Sequence, residues 1–289
     1  MARSVADGFS VFLDRLVPTE AQRSAAAKHR SSVETSIRGG MAVNLFRETG
    51  SFHHGTGVRN HCDVDLLVSI KENKPLTSDT ALSWVKSALK ASFPYTTVNI
   101  RRPAVVVDFA GGDERYEVIP GFLKSRGKDD PYVYDIPGAA SGWLESAPME
   151  HLAYVNEVNK TAGRAGGAKS LSRLAKAWKY YNDVPISSFY LEMRAAQYMS
   201  TQSSFVAVWD ICGLLENLYN HSLASMNDPK GATGRFYPCS SDPKKLTALS
   251  KLNTAATRAR KALDAHNASD PATAFAYLDL LFAGHFPPR

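Results

Sequence analysis

Hydrophobic and polar positions change rhythm partway along the chain. From Thr19 to about Ile37 the pattern predicts a helix: Thr19 can cap it, Gln22 follows three residues later as in a capping box, alanine-rich sequence comes next, and Gly39-Gly40 supplies a stop. After an apolar stretch to Phe46, the run Gly50-Ser51-Phe52-His53-His54-Gly55-Thr56-Gly57 reads as a loop of small residues. Val64 to Ile70, bounded by charge, reads as a buried strand. Thr77 to Leu89 is predicted helical, and Thr97 to Ile100, Ala104 to Phe109 and Tyr116-Glu117-Val118-Ile119 are predicted strands. Beyond Pro148 the strand signal fades. Met149 to Val158, Ser170 to Tyr181, Ser187 to Met199, Ser203 to His221, Pro243 to Ala265 and Ala272 to Phe282 all space their apolar residues as helices do. An α+β chain of two lobes follows, 1–147 and 148–289, with a ligand cleft between them.

Composition narrows the class more than the function. With 44% hydrophobic residues over 289 positions, a sizeable core is available. Cys62, Cys212 and Cys239 are odd in number and contain no C-x-x-C pair, which argues against a disulfide framework or zinc ribbon and suits a reducing cytoplasm. The first residues, Met1-Ala2-Arg3-Ser4, lead into a mixed segment with Asp7 and Asp14 rather than the apolar run of a signal peptide. Nowhere do about eighteen apolar residues run together, so no membrane partner is expected. The net charge of +6 is compatible with polyphosphate or nucleic acid and by itself decides nothing.

The acids carry more. Asp63 and Asp65 flank Val64, and strand alternation puts both carboxylates on one face. Like charges so close call for a cation, and Mg²⁺ takes hard oxygen ligands while tolerating water and phosphate. Asp108 interrupts the apolar run Val105-Val106-Val107-Asp108-Phe109, where an unpaired charge is expensive. If the two strands are neighbours, three acids can hold two ions roughly 3.5–4 Å apart for phosphoryl-type transfer. Taken singly, each acid reads equally well as structure: Asp63 as a turn residue, Asp65 as solvated at an edge, Asp108 as the close of a strand before Gly111-Gly112. The Gly50–Gly57 segment adds backbone N–H groups and the Ser51 hydroxyl as a phosphate cradle, although the Walker order is absent. His53 and His54 are expected to diverge rather than to share a metal.

Gly50-Ser51, Gly55-Thr56, Arg59 and Asp63-x-Asp65, with Asp108 on a later strand, resemble the active-site pattern of the DNA-polymerase-β-like nucleotidyltransferases. Lys169 to Trp178, followed by Pro185-Ile186-Ser187-Ser188-Phe189-Tyr190-Leu191-Glu192, resembles the helical lobe of oligoadenylate synthases, cyclic GMP-AMP synthase and the bacterial cyclic-oligonucleotide synthases of anti-phage signalling. The resemblance implies a polymerase-β-like core with a helical C-terminal lobe. It implies that Asp63, Asp65 and Asp108 hold two Mg²⁺ ions, or Mn²⁺ in their place, and that Gly50, Ser51, Thr56 and Arg59 meet the donor nucleotide. Lys176 would reach its triphosphate, Ser188 would add a phosphate hydrogen bond, and Phe189 would stack on a base. Arg173 and Lys179, spaced with Lys176 along one helical stripe, read as solvated.

The implied activity is synthesis of a cyclic di- or oligonucleotide second messenger, of the cyclic GMP-AMP type, from ATP and/or GTP in a cytoplasmic antiviral pathway. A separate effector would bind the product rather than the enzyme. A linear oligoadenylate synthase or a template-independent RNA-tailing enzyme is the alternative. No His/Cys zinc insertion is present, so obligatory DNA activation is not expected. Tyr132 to Trp143, aromatic and glycine-rich, is a candidate lid.

Overall fold

The computed structural model describes residues 3–109, 114–125, 132–138 and 140–289. Its first element was not predicted. Helix α1 (Val5–Leu16) opens on a capping box between Ser4 and Asp7 and buries Val5, Phe9, Phe12 and Leu16 along one face. The apolar spacing of that face is helical, but Asp7 and Gly8 break it up in the sequence. Helix α2 (Glu20–Gly40) begins on the expected Thr19–Gln22 capping box and carries Gly39 and Gly40 as its last turn.

A mixed sheet follows, built from β1 (Val43–Thr49), β2 (Val64–Ile70), β3 (Thr97–Arg101), β4 (Ala104–Phe109), β5 (Glu114–Ser125), β6 (Val133–Pro137) and β7 (Trp143–Ser146). Strand order is β1-β2-β5-β4-β3, with β6 on the far half of β5 and β7 on β6. The β2–β5 pair is parallel and the other pairs are antiparallel. A short helix α3 (Gly50–His54) links β1 toward β2, and α4 (Ser78–Ser92) crosses from β2 to β3.

Period-two alternation gives this sheet two unlike faces. Val64, Leu66, Val68 and Ile70 of β2, Val105 and Val107 of β4, and Tyr116 and Val118 of β5 pack under Val33 and Ile37 of α2 and Leu82, Val85 and Leu89 of α4. The alternate residues, among them Asp65, Glu117 and Val106, face away from that helical layer. Farther along the same face, Leu67 packs with Tyr134 and Ile136 of β6. The stretch expected as a lid is therefore a β6–β7 hairpin built into the sheet, held by the burial of Val133, Tyr134 and Ile136; Ala139 lies outside the described residues.

The second lobe holds α5 (Pro148–Lys160), α6 (Gly167–Tyr181), α7 (Ser188–Ser200), α8 (Ala207–Asn220), α9 (Asp242–Asn267) and α10 (Pro271–Leu281), with a small hairpin of β8 (Met226–Asn227) and β9 (Arg235–Phe236) between α8 and α9. Its core also takes in α1: Phe9 meets Phe286 at 5.1 Å and Phe12 meets Phe282 at 4.6 Å between ring centroids. The division at 147/148 thus cuts through one hydrophobic core, because residues 5–16 complete the lobe that residues 148–289 begin.

Candidate active site

The registers on either side of β5 decide which acids share a surface. Asp65 of β2 stands directly opposite Glu117 of β5, and Glu117 opposite Val106 of β4. Paired residues present side chains to the same face, so Asp65 and Glu117 lie side by side on the face away from α2 and α4. Asp63 precedes β2 by one residue, and its electrostatic neighbours are Arg115, Asp108 and Arg101. Asp108 shares the face two strands from Asp65, where it pairs in register with Arg115 and accepts a 2.9 Å hydrogen bond from that guanidinium Nε. Glu117 is the acid the sequence reading passed over. It carried the same signal as Asp108, a charge inside an apolar strand, but strand adjacency was needed to separate the two.

This face is electrostatically uphill. Burial pushes the Asp65 carboxyl well above the usual range, and Glu117 and Asp63 push it further, against the opposing pull of Lys176. Burial likewise raises Asp63, with Asp108 adding and Arg115 and Arg101 opposing. Glu117 is raised by burial and by Asp63. Arg115 is committed to Asp108 and Lys176 to Glu192, so neither cation is ion-paired with Asp63, Asp65 or Glu117. Among the described residues, no three His, Cys, Asp or Glu side chains are gathered ready to coordinate an ion. Even so, hard oxygen donors with a surplus of negative charge are the chemistry Mg²⁺ selects.

The small-residue segment becomes α3, lying on β2. Gly50 takes φ +65°, and a Cβ there would stand 1.7 Å from Asp65 Oδ2. Only glycine allows the segment to sit this close to the acid. Ser51 follows in the first turn, half-buried, and its carbonyl accepts the Thr56 amide at 3.0 Å. His53 is exposed and His54 buried, with ring centroids 6.2 Å apart, so the two diverge as expected.

Several residues expected at the nucleotide are committed elsewhere. Arg59 turns to α1, donating from Nε to the Val17 carbonyl at 2.8 Å and from Nη2 to the Asp14 carbonyl at 3.4 Å, where it satisfies the end of a helix the sequence reading had not found. Thr56 is fully buried, and its hydroxyl donates to Glu192 at 2.6 Å. Lys176 is buried beside them, ion-paired with Glu192 and donating to Thr56 Oγ1 at 3.0 Å, rather than aimed into open space. Arg173 is half-buried and donates to the Gly55 carbonyl. Lys179, expected to be solvated, donates instead to Ser188 Oγ and lies 4.5 Å from the Tyr180 ring centroid. Burial, with help from Lys176, pushes its ammonium down to about 8. Phe189 is 38% exposed, with Phe236 against its edge at 4.8 Å and His151 at 5.2 Å.

The family model of the Second Messenger Oligonucleotide or Dinucleotide Synthetase (SMODS) domain matches residues 3–159. The chain belongs to the SMODS family. That match runs from α1 through nearly all of α5, so the SMODS region contains the acids and the α3 loop. A probable cyclic nucleotide synthase of Bacillus cereus is 23% identical over 168 residues, covering 57% of this chain; the chain spans about half the length of that curated relative, 50%. Among solved structures, Escherichia coli MS115-1 CdnC with ATP superimposes at a TM-score of 0.78, with 16% identity and 98% of each chain covered. A mutant of the Vibrio cholerae di-nucleotide cyclase DncV with ATP and GTP superimposes at 0.75, with 12% identity, covering 99% of this chain and 97% of that one. These likenesses establish the nucleotidyltransferase fold over both lobes of this SMODS protein. No helix among the described residues is long and apolar enough to cross a membrane.

Proposed function

We propose that this chain is a divalent-metal-dependent nucleotidyltransferase that joins ATP and/or GTP into a cyclic di- or oligonucleotide, releasing pyrophosphate. The observation that carries the reading is the in-register pair Asp65–Glu117 with Asp63 beside it, on a face whose carboxylates outnumber their cations. Asp63, Asp65 and Glu117 hold the metal ions, Mg²⁺ or Mn²⁺. When bound, the ions supply neutralisation of phosphate charge and activation of the attacking hydroxyl. Asp108 takes a different part from the one its sequence suggested: it orients Arg115, whose guanidinium neighbours both Asp63 and Glu117.

The other residues bind and orient. Gly50 and Ser51 bring backbone N–H groups and a hydroxyl to the donor phosphates beside Asp65. Lys179 and Ser188, already hydrogen-bonded to one another, meet the phosphate tail from the helical lobe, the part the sequence had given to Lys176. The open face of Phe189 receives a base. Positioning and charge complementarity then carry the reaction.

The ATP held by CdnC, and the ATP and GTP held by DncV, support purine triphosphates as substrates. A cyclic GMP-AMP type of product, acting in cytoplasmic anti-phage signalling through a separate effector, fits family membership and three free cysteines.

The test is incubation of the purified protein with all four NTPs and Mg²⁺, phosphatase treatment, and liquid chromatography with mass spectrometry of what survives. The expected result is a phosphatase-resistant cyclic species that is absent with Asp63→Asn/Asp65→Asn. Linear products would replace cyclisation with oligoadenylate-type or tailing chemistry. Absence of any metal-dependent product, with the same outcome in Mn²⁺, would overturn the assignment.

A further inference from the structure

Four polar side chains are buried where the α3 segment meets the helical lobe, and the chemistry above leaves them unused. His54 and Thr56 come from the sheet side, Lys176 from α6 and Glu192 from α7. Glu192 is 3% exposed and Lys176 1%. Glu192 Oε1 lies 2.8 Å from His54 Nδ1, and Oε2 accepts from Thr56 Oγ1 at 2.6 Å while pairing with Lys176. Burial alone would raise the Glu192 carboxyl, yet Lys176 and His54 outweigh it and hold the group far below the usual range. Both Glu192 oxygens are hydrogen-bonded and the carboxylate is ion-paired, the condition under which buried charge is tolerated.

Lys176 also stands near enough to Asp65 to favour its ionised form. Thr56, which accepts from Lys176, lies on the same short segment as Gly50, which sits against Asp65, so the bonded ammonium and the acid flank one stretch of chain. Were that ammonium bonded to Asp65 instead, it would compete with a metal ion for an oxygen in the acid row. The α3 segment that carries Gly50 against Asp65 ends at His54, the residue Glu192 holds.

We propose that Glu192 is a positioning residue that reserves Lys176: it holds the ammonium against Thr56 and off Asp65, leaving Asp65 free for a divalent cation, and through His54 and Thr56 it fixes the Gly50–Thr56 segment on α6 and α7. This rests on the assignment of Asp65 to the metal set.

The test measures Mn²⁺ affinity of the full chain by titration calorimetry without nucleotide, with thermal melting as the folding control. Glu192→Gln keeps the shape and removes the charge, so Lys176 turns to Asp65 and the Mn²⁺ Kd rises about tenfold or more. Adding Lys176→Met to Glu192→Gln removes the competitor and returns the Kd to within about threefold of wild type. A merely structural role would lower the melting temperature of both variants without that recovery. Unchanged Mn²⁺ affinity in a folded Glu192→Gln protein, or no recovery in a folded double variant, overturns the proposal. If Glu192→Gln does not fold, Thr56→Val loosens the same clamp, and unchanged affinity there overturns it equally. Asp65→Asn separates the two assignments. Wild-type Mn²⁺ binding by Asp65→Asn would overturn the metal site itself and the proposal with it, whereas its loss beside unchanged binding in Glu192→Gln would overturn the proposal alone.

Discussion

Two clusters of enclosed charge meet at the α3 segment, and they are organised in opposite ways. In the inter-lobe cluster, Glu192 has a lysine, a histidine and a hydroxyl as partners, and every charge is answered. On the sheet face, Asp63 and Glu117 raise the proton affinity of Asp65 and Asp63 raises that of Glu117, while Arg115 and Lys176 are ion-paired elsewhere. Satisfied charge holds the lobes together, whereas unsatisfied charge is stability set aside for a ligand. The same carboxylate chemistry is thus ion-paired on α7 and left without an ion-pair partner on β2.

The sharpest way to break this comparison is Asp65→Asn. It should abolish product formation, by about a thousandfold or more, and yet raise the melting temperature of the metal-free protein by roughly 2–4 °C, because one of three repelling carboxylates is gone. Melting and turnover assays on the same preparation check both halves. A fall in stability together with activity would mean that the face is satisfied after all. The wild-type acid face carries its own pH signature. Carboxyls raised in the folded state bind more protons there than when unfolded, so they contribute instability that grows as pH rises above the ordinary carboxylate range. Metal-free protein should melt lower at pH 8 than at pH 5.5 for this reason, and Asp65→Asn should flatten the difference.

Next in size is the contrast between the two strand acids. Glu117→Gln should cost turnover about a hundredfold or more, and Asp108→Asn only about tenfold, since Asp108 acts through Arg115. Equal losses in steady-state kinetics would return Asp108 to the metal set. Smallest is Lys179→Met, which should raise the KM for nucleoside triphosphate about tenfold with little change in kcat. A lysine held at about 8 is charged at neutral pH and loses its charge as pH climbs through that value. Wild-type KM should therefore rise above pH 8, and the variant should lose that dependence.

Much of this architecture was legible because period and capping are local signals. Thr19 with Gln22, the apolar run Val64 to Ile70 and the helical spacing beyond Pro148 all formed the elements they predicted. Asp63 and Asp65 were legible as a pair for the same reason. What escaped depended on partners far away in sequence. Glu117 became distinguishable from Asp108 only through the β2–β5 register, and Lys176 lost its free ammonium to Glu192, which sits on the next helix. Arg59 pointed to phosphate until α1 existed for it to cap. The Tyr132–Trp143 stretch was read from its aromatic and glycine content, whereas its burial against Leu67 made it a strand.

Helix α1 belongs to the helical core although β1 to β7 follow it in the chain. The polypeptide therefore passes between the lobes twice, once near Val17–Thr19 and again near Ala147. Two covalent crossings and the buried Glu192 cluster tie the two lobes together at separate places in the chain, so parting them would break that ion pair as well as strain the crossings.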